Sequence, residues 1–176
     1  MQCWKTGWRA CAGVAILACA QLAVAAYPDR PIKLVVPYTP GGSTDQVTRV
    51  TAAELEKALG QTIVFENRGG AAGMLGLRAL ASARNDGYTI GQIPISVTRF
   101  SQLGSVPIDP LKDLSYIART SGQTFGIAVP VTSPWQTLAD LVAHAKANPG
   151  KINYGSSGVG GATHVGMEEF ALAAGA

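Results

Sequence analysis

Two segments of the sequence combine glycines with hydroxyl side chains where a predicted strand gives way to a predicted helix. The first is residues 37–45, Pro-Tyr-Thr-Pro-Gly-Gly-Ser-Thr-Asp, and the second is residues 154–164. Glycine lets backbone N–H groups approach a ligand closely, and a helix N-terminus carries about half a positive charge with unpaired N–H donors. We therefore expect the two loops to hold the two ends of a small anion.

The same residue types also favour ordinary strand-to-helix turns, because they cap helices. Asp45 near a helix start is most simply a partner of the helix dipole. His164, in the first turn of the last predicted helix, either donates a hydrogen bond to a ligand or packs against its loop. These residues alone therefore leave both interpretations open.

Several other chemistries are disfavoured by the motifs. The phosphate-binding motif G-x-x-x-x-G-K-[ST] does not occur. The motif G-x-G-x-x-G begins at Gly158 and Gly160 but is not completed, because Thr163 stands at the position of its third glycine. Ser43, Asp45 and His164 do not predict a catalytic triad, because no G-x-S-x-G elbow accompanies them. We expect no metal ligation and no cofactor.

Residues 1–26 have the pattern of a cleaved export signal. Lys5 and Arg9 make a basic start, an uncharged and mostly apolar run follows to residue 26, and residues 23–25 are Ala-Val-Ala. Cleavage is predicted after Ala25 or Ala26, which places the mature chain in the periplasm. An alternative, lipid attachment at Cys19, is disfavoured because the preceding Leu17 fits a lipobox poorly.

Most of the net positive charge and all of the cysteines belong to this predicted signal. The whole chain has 14 Lys and Arg against 11 Asp and Glu, and without Lys5 and Arg9 the net charge falls to +1. No basic stripe with interleaved aromatic residues remains, so we expect no nucleic-acid partner. All three cysteines lie in the signal, which leaves the mature chain without disulfides or thiolate ligands.

Apolar periodicity in the mature chain predicts an α/β fold with a parallel sheet. Strands are predicted at residues 32–36, 62–66, 88–93, 115–119, 125–129 and 152–154. Ser43 with Gln46 forms a capping-box pattern, from which a helix runs to Gly60. Its predicted buried face carries Val47, Val50, Leu55, Ala58 and Leu59. Further helices are predicted at residues 74–83, after Thr137 with Asp140, and at the C-terminal end, where one face carries Met167, Phe170, Ala171 and Ala174.

A series of short segments, in order along the chain, closely resembles the substrate-binding proteins of tripartite tricarboxylate transporters, the Bug receptors. The segments are residues 27–37, 41–45, 59–61, 64–68, 86–89, 109–113, 145–151 and 163–164. Together they span the mature chain from Tyr27 to its end, which makes the series more specific than any one motif. The sequence departs from the family at Gly69, where proline is usual, and at Met74-Leu75, where Asn-Ile is usual.

The resemblance implies a periplasmic-binding-protein-like fold of type II, with two α/β lobes around a cleft. The lobes are expected at residues 27–123 and 124–176, both incomplete, because the family's mature chain is roughly twice as long. The implied protein is a monomeric, non-enzymatic receptor that captures a small carboxylate and delivers it to membrane permease subunits. The residues implied to bind the ligand are Tyr38, Thr39, Gly42, Ser43, Thr44, Asp45, Ser96, Ser156, Ser157, Gly158, Thr163 and His164.

Two alternatives to a receptor remain at this stage. One is a secreted α/β hydrolase or transferase that uses the same loops for catalysis. The other is an inactive remnant, because the chain resembles only the N-terminal half of the family and would then be a fragment, a truncated gene product or an incomplete sequence.

Overall fold

The computed structural model describes residues 27–100, 102, 107–122 and 124–175, so the predicted signal peptide lies outside the described residues. A parallel sheet is formed by β1 (Ile32–Val36), β2 (Ile63–Asn67) and β3 (Thr89–Gly91), in the order β2-β1-β3. The α/β prediction and the first three predicted strands are thereby confirmed, although β3 is shorter than residues 88–93.

β1 is the central strand, because β2 and β3 pair with its two edges, and four of its five residues are buried. Leu34 pairs with Phe65 on β2 and with Ile90 on β3. Successive side chains of a strand point to opposite faces, so this row of apolar residues lies on one face of the sheet. It belongs to the apolar cluster beneath the first helix, which also includes Val36 and Ile63.

The first helix, α1 (Ser43–Leu59), begins and ends where the sequence predicted, but its buried face is different. Thr48 and Ala52 are buried, whereas Val47 is exposed and Val50 is 71% exposed. Ala52 packs into the cluster beneath the helix with Leu55. The small side chains at positions 48 and 52 thus face the sheet, and the prediction that Val47, Val50 and Ala58 lie on the buried face is wrong, because all three are exposed.

The start of α1 is also built differently from the predicted capping box. Gly42, in extended conformation, is the N-cap residue and supplies no side-chain cap, and Ser43 is the first helical residue. Gln46 donates instead to the Gly41 carbonyl, 3.0 Å away. At the other end Gly60 adopts the left-handed conformation (φ 65°) and its N–H bonds to the Glu56 carbonyl, as predicted for a C-terminal glycine.

A second apolar cluster lies around the helix that follows β2. A 3₁₀ turn (Ala71–Gly73) leads into α2 (Met74–Ala81), and α3 (Val97–Phe100) follows β3. The buried members of the cluster are Ala72, Met74, Leu77, Val97 and Phe100. α2 ends two residues before the predicted Ala83: Ser82 is the C-cap residue, and the Ala83 N–H bonds to the Leu80 carbonyl, three residues back rather than four.

Beyond the sheet the chain forms α4 (Pro110–Asp113), α5 (Leu138–Ala147) and α6 (Ala162–Ala174). The predicted start of α5 is confirmed, since Thr137 and Asp140 make both bonds of a capping box. Met167, Phe170, Ala171 and Ala174 of α6 are half-buried.

The strands predicted at residues 115–119, 125–129 and 152–154 are wrong for this structure, which shows neither strand nor helix at their described residues. A strand requires a neighbour for its backbone hydrogen bonds, and these segments pair with none of the described strands.

Within the described parts of the chain, no helix has the length and apolarity needed to cross a membrane.

Candidate functional site

The loops that follow the three strands leave the sheet at one edge, because all three strands are parallel. They are residues 37–42 after β1, residues 68–73 after β2 and residues 92–96 after β3. The first contains Tyr38, Thr39 and Gly42 of the predicted site, and the third contains Ser96. Burial raises the pKa of the Tyr38 hydroxyl.

Asp45, in the first turn of α1, is hydrogen-bonded to the first loop and to β2. It is 2% exposed, and its carboxylate accepts hydrogen bonds from Gly41 N, Arg49 Nε and Asn67 Nδ2, each 2.9 Å long. The bonds from Arg49, Asn67 and Gly41 hold the pKa of this carboxyl well below its usual range. Asp45 therefore fixes the loop from inside the protein.

Asn67 and Arg49 are functional candidates that the sequence analysis missed. Asn67, the last residue of β2, also donates to the Tyr38 carbonyl, 3.0 Å away, and so joins the end of β2 to the first loop. The Arg49 guanidinium lies over the Phe65 ring, 4.3 Å from its centroid. An amide side chain at the end of a predicted strand was the available signal for Asn67, whereas Arg49 could only be identified from the fold.

Ser96 lies in the loop after β3, and its side chain is buried. Its Oγ donates to the Ala72 carbonyl at 3.3 Å, which joins the third loop to the 3₁₀ turn after β2. Ala71 and Ala72 both have positive φ angles, 47° and 53°, which are unusual for residues with a Cβ atom. The surrounding contacts hold this turn in a conformation that an isolated alanine rarely adopts.

The second predicted loop is organised mainly by its own hydroxyl groups. The Thr163 Oγ1 atom accepts from the Ser157 N–H at 3.1 Å and lies 2.9 Å from the Ser157 Oγ. The Gly158 N–H donates to the Ser156 Oγ at 3.3 Å. Thr163 lies in the first turn of α6, so these bonds connect the loop to the N-terminus of that helix.

His164 lies beside Tyr154, with 6.3 Å between the ring centroids. Tyr154 donates to Glu168 Oε1 at 2.5 Å, and this bond raises the pKa of the tyrosine. Among the described residues, no hydrogen bond links Ser43, Asp45 and His164 to one another. The carboxylate that a triad would require is instead bonded to Gly41, Arg49 and Asn67.

The turn after β2 contacts both predicted loops. A Cβ atom at Gly69 would lie 3.0 Å from the Thr39 nitrogen, so this glycine packs directly on the first loop. A Cβ atom at Gly158 would lie 3.0 Å from the Ala72 nitrogen, and one at Gly161 would lie 3.0 Å from the Ala72 Cβ. Residues 68–73 therefore connect the two loops, although no hydrogen bond joins one loop to the other among the described residues.

The arrangement offers helix N-termini, hydroxyl groups and glycine backbone, which suit a small anion rather than a metal ion. No three His, Cys, Asp or Glu side chains converge to hold a metal within the described residues. Two clefts, of about 570 and 710 Å³, lie around Glu66 and Arg68. Asn67 and Gly69 line the larger one, and none of the predicted site residues lines either of them. The shared pocket between the two loops stays a prediction.

Comparison with known proteins identifies the family. The profile described as "Tripartite tricarboxylate transporter family receptor" (TctC) matches residues 47–176. The chain is 45% identical, over 146 residues, to a Cupriavidus necator protein described as "UPF0065 protein in gbd 5'region"; the match covers 83% of this chain and 45% of that protein. This chain belongs to the TctC family, and it spans about half the length of the curated relatives it matches.

Two solved structures extend the likeness to the fold. The periplasmic binding protein BugD superposes with a TM-score of 0.67 at 28% identity, covering 85% of this chain and 50% of BugD. Rpa4515 of R. palustris, solved with adipate, superposes with a TM-score of 0.65 at 27% identity, covering 85% of this chain and 50% of Rpa4515. The fold is therefore an α/β fold of the periplasmic-binding-protein type, of which this chain represents about half.

Proposed function

We propose that this TctC-family chain contributes one side of a periplasmic receptor that captures a small carboxylate. The observation that carries the proposal is the position of the two glycine-rich and hydroxyl-rich loops, which both contact residues 68–73. The family match and the adipate-bound relative support a carboxylate as the ligand.

In this proposal the ligand carboxylate is bound by backbone N–H groups and hydroxyls at the starts of α1 and α6. Such donors hold an anion without a buried counter-charge, because the helix dipole and the aligned N–H groups supply the favourable potential. Ser96 holds the turn between the loops. The ligand-contacting groups are proposed to come from Tyr38, Thr39, Gly42, Ser43, Thr44, Ser156, Ser157, Gly158, Thr163 and His164.

Asp45 has a positioning role in this scheme rather than a direct contact. Its carboxylate accepts from Gly41 N, and Asn67 joins it to the Tyr38 carbonyl, so both ends of the first loop are tied to β2. A buried carboxylate that pointed at a carboxylate ligand would repel it. The Asp45 carboxylate is instead bonded to Arg49 and Asn67.

The cellular setting is also proposed from the family. We infer that residues 1–26 direct export to the periplasm and are removed, and that the receptor delivers its ligand as a monomer to membrane permease subunits. The division into lobes at residues 27–123 and 124–176 belongs to the same proposal. A receptor is favoured over a hydrolase because the only carboxylate in the two loops, Asp45, is bonded to groups other than His164.

The proposal is tested by adding adipate to the purified chain and measuring thermal unfolding. Adipate at a hundred times its dissociation constant should stabilise the chain by about 2.7 kcal/mol, without any product being formed. Thr163→Val removes the hydroxyl that bonds Ser157 and should abolish most of this stabilisation. Thr51→Val is the matched control, because the Thr51 hydroxyl bonds within α1, to the Val47 carbonyl.

An unfolding temperature that is unchanged by adipate and by a panel of other small carboxylates would contradict the proposal. So would equal loss of the adipate response in Thr163→Val and Thr51→Val.

A further inference from the structure

Tyr154, the first residue of the second loop, is held against the start of α6. Its hydroxyl donates to Glu168 Oε1 at 2.5 Å, and 6.3 Å separates the centroids of its ring and the His164 ring. His164 and Glu168 are four residues apart in α6, so their side chains lie on one face of that helix. The tyrosine therefore contacts the same face of α6 that carries His164 of the candidate site.

The second loop is bonded to α6 at another place as well. The Ser157 N–H donates to Thr163 Oγ1 at 3.1 Å, and the Ser157 Oγ lies 2.9 Å from the same oxygen. The Tyr154–Glu168 bond thus connects the beginning of the loop to α6, and the bonds of Ser157 connect its middle. Together they fix the direction of the loop relative to the N-terminus of α6, where the proposed N–H donors lie.

The negative charge of Glu168 is unfavourable for a direct contact with the proposed ligand, because two carboxylates repel each other. Glu168 also lies beyond the first turn of α6, where the helix dipole no longer stabilises an acidic side chain. Its hydrogen bond to Tyr154 has a charged acceptor, and such bonds are stronger than neutral ones. A favourable effect of Glu168 on ligand binding would therefore act through Tyr154.

We propose that Glu168 is a positioning residue of the carboxylate site, which holds the second loop in its binding conformation through the bond to Tyr154. This inference rests on the proposed function, since it assigns Glu168 a role in that site. Without the bond, the beginning of the loop is free to adopt other conformations. The loop must then be ordered when the ligand binds, and this ordering lowers the affinity.

The proposal is tested by calorimetric titration of the 176-residue chain with adipate. Glu168→Ala should weaken adipate binding by at least about threefold, because the loop loses its preorganisation. Glu169→Ala is the matched control: it removes the same charge from the neighbouring exposed position of α6 and leaves the Tyr154 bond in place. The control should bind adipate with the same affinity or slightly more tightly, because a negative charge has been removed.

Two further variants separate the hydrogen bond from the charge. Tyr154→Phe removes the hydroxyl at constant charge and should weaken adipate binding as much as Glu168→Ala does. The double variant should bind adipate as tightly as either single variant, because both side chains act through one bond. Glu168→Gln keeps an acceptor oxygen without the charge and should restore most of the affinity.

Two measurements follow the bond without any ligand. The bond to Glu168 raises the pKa of the Tyr154 hydroxyl, so NMR titration of labelled tyrosine should show a lower pKa in Glu168→Ala and no change in Glu169→Ala. The Ser157 amide, which bonds to Thr163, should exchange its hydrogen at least about threefold faster in Glu168→Ala and in Tyr154→Phe. All of the variants change exposed side chains, so circular dichroism should show the same helix content in each.

The results distinguish this proposal from the proposed function. If the original chain binds adipate, and Glu168→Ala binds it as tightly as Glu169→Ala or more tightly, the positioning role is overturned while the receptor function stands. Ser157 exchange and a Tyr154 pKa that are unchanged in Glu168→Ala would overturn the positioning role without reference to any ligand. An original chain that binds no carboxylate would overturn the proposed function, and the positioning role with it.

Discussion

Gly76 lies near the start of α2, where this helix packs on the residue that follows β1. A Cβ atom at Gly76 would lie 2.7 Å from the Pro37 Cβ and 2.9 Å from the Pro37 Cα. Neither atom can move aside by a change of rotamer, because one is in a ring and the other is backbone. Pro37 begins the first loop of the candidate site, so this contact also positions Tyr38 and Thr39.

Gly76→Ala therefore has two opposing effects on the free energy of unfolding. Replacing glycine by alanine inside a helix stabilises it by about 1 kcal/mol. Overpacking a filled interior costs about 1–3 kcal/mol. Carbon atoms pack best at about 3.5–4.0 Å, so contacts of 2.7 and 2.9 Å favour the upper part of that range. We expect a net loss of up to about 2 kcal/mol.

Gly166→Ala in α6 is the matched control. No atom lies within 4 Å of a Cβ placed at Gly166, so only the helix effect remains, and this variant should gain about 0.5–1 kcal/mol. Urea unfolding followed by far-UV circular dichroism measures both variants. Because both substitutions share the helix effect, the difference between them, about 1–3 kcal/mol, is the steric cost at Pro37. Equal stabilisation by the two substitutions would refute the packing of α2 on Pro37.

Three further predictions concern the core, the first loop and α5. Leu77→Ala empties a fully buried position in the second apolar cluster and should cost about 2–5 kcal/mol in urea unfolding; a loss below 1 kcal/mol would mean that the cluster is not packed as described. The lowered pKa of Asp45 means that its bonds stabilise the fold above the unfolded-state value of 3.8, and that this contribution is lost as the pH falls below it. The free energy of unfolding, measured from pH 6 to pH 2, should therefore depend less on pH in Asp45→Asn than in the original chain. Identical dependence on pH in the two proteins would contradict the assignment. Thr137→Ala removes the capping box of α5 and should cost about 1 kcal/mol, measured against exposed Thr124→Ala as a control.

The local features of the chain could be predicted from the sequence because they depend on neighbouring residues. β1 and α1 lie at the predicted bounds, since a short β-branched run and a glycine in the left-handed conformation need no distant partner to be recognised. The capping box of Thr137 with Asp140 is equally local. The capping box of Ser43 with Gln46 was wrong because Gly42 took the N-cap position and Gln46 bonded to Gly41.

The candidate site was predicted only in part, because some of its contacts join residues that are far apart in the sequence. Glycine and hydroxyl residues just before and within the first turns of α1 and α6 were the signal for the two loops. Asn67 was missed because its role depends on β2 ending beside the first loop, 22 residues from Asp45 in the sequence. The contact of Gly158 and Gly161 with Ala72 likewise joins residues that lie more than eighty positions apart.

The sequence by itself thus determined the alternation of strands and helices from β1 to β3, the bounds of α1, the start of α5 and the residue types of the two loops. These depend on backbone conformation and side-chain spacing within a few residues. Only the tertiary structure decided that Thr48 and Ala52, rather than Val50, face the sheet, and that Asp45 binds inward to Asn67. It also decided that residues 125–129 remain unpaired, because a strand forms only where another backbone lies alongside to accept and donate its hydrogen bonds.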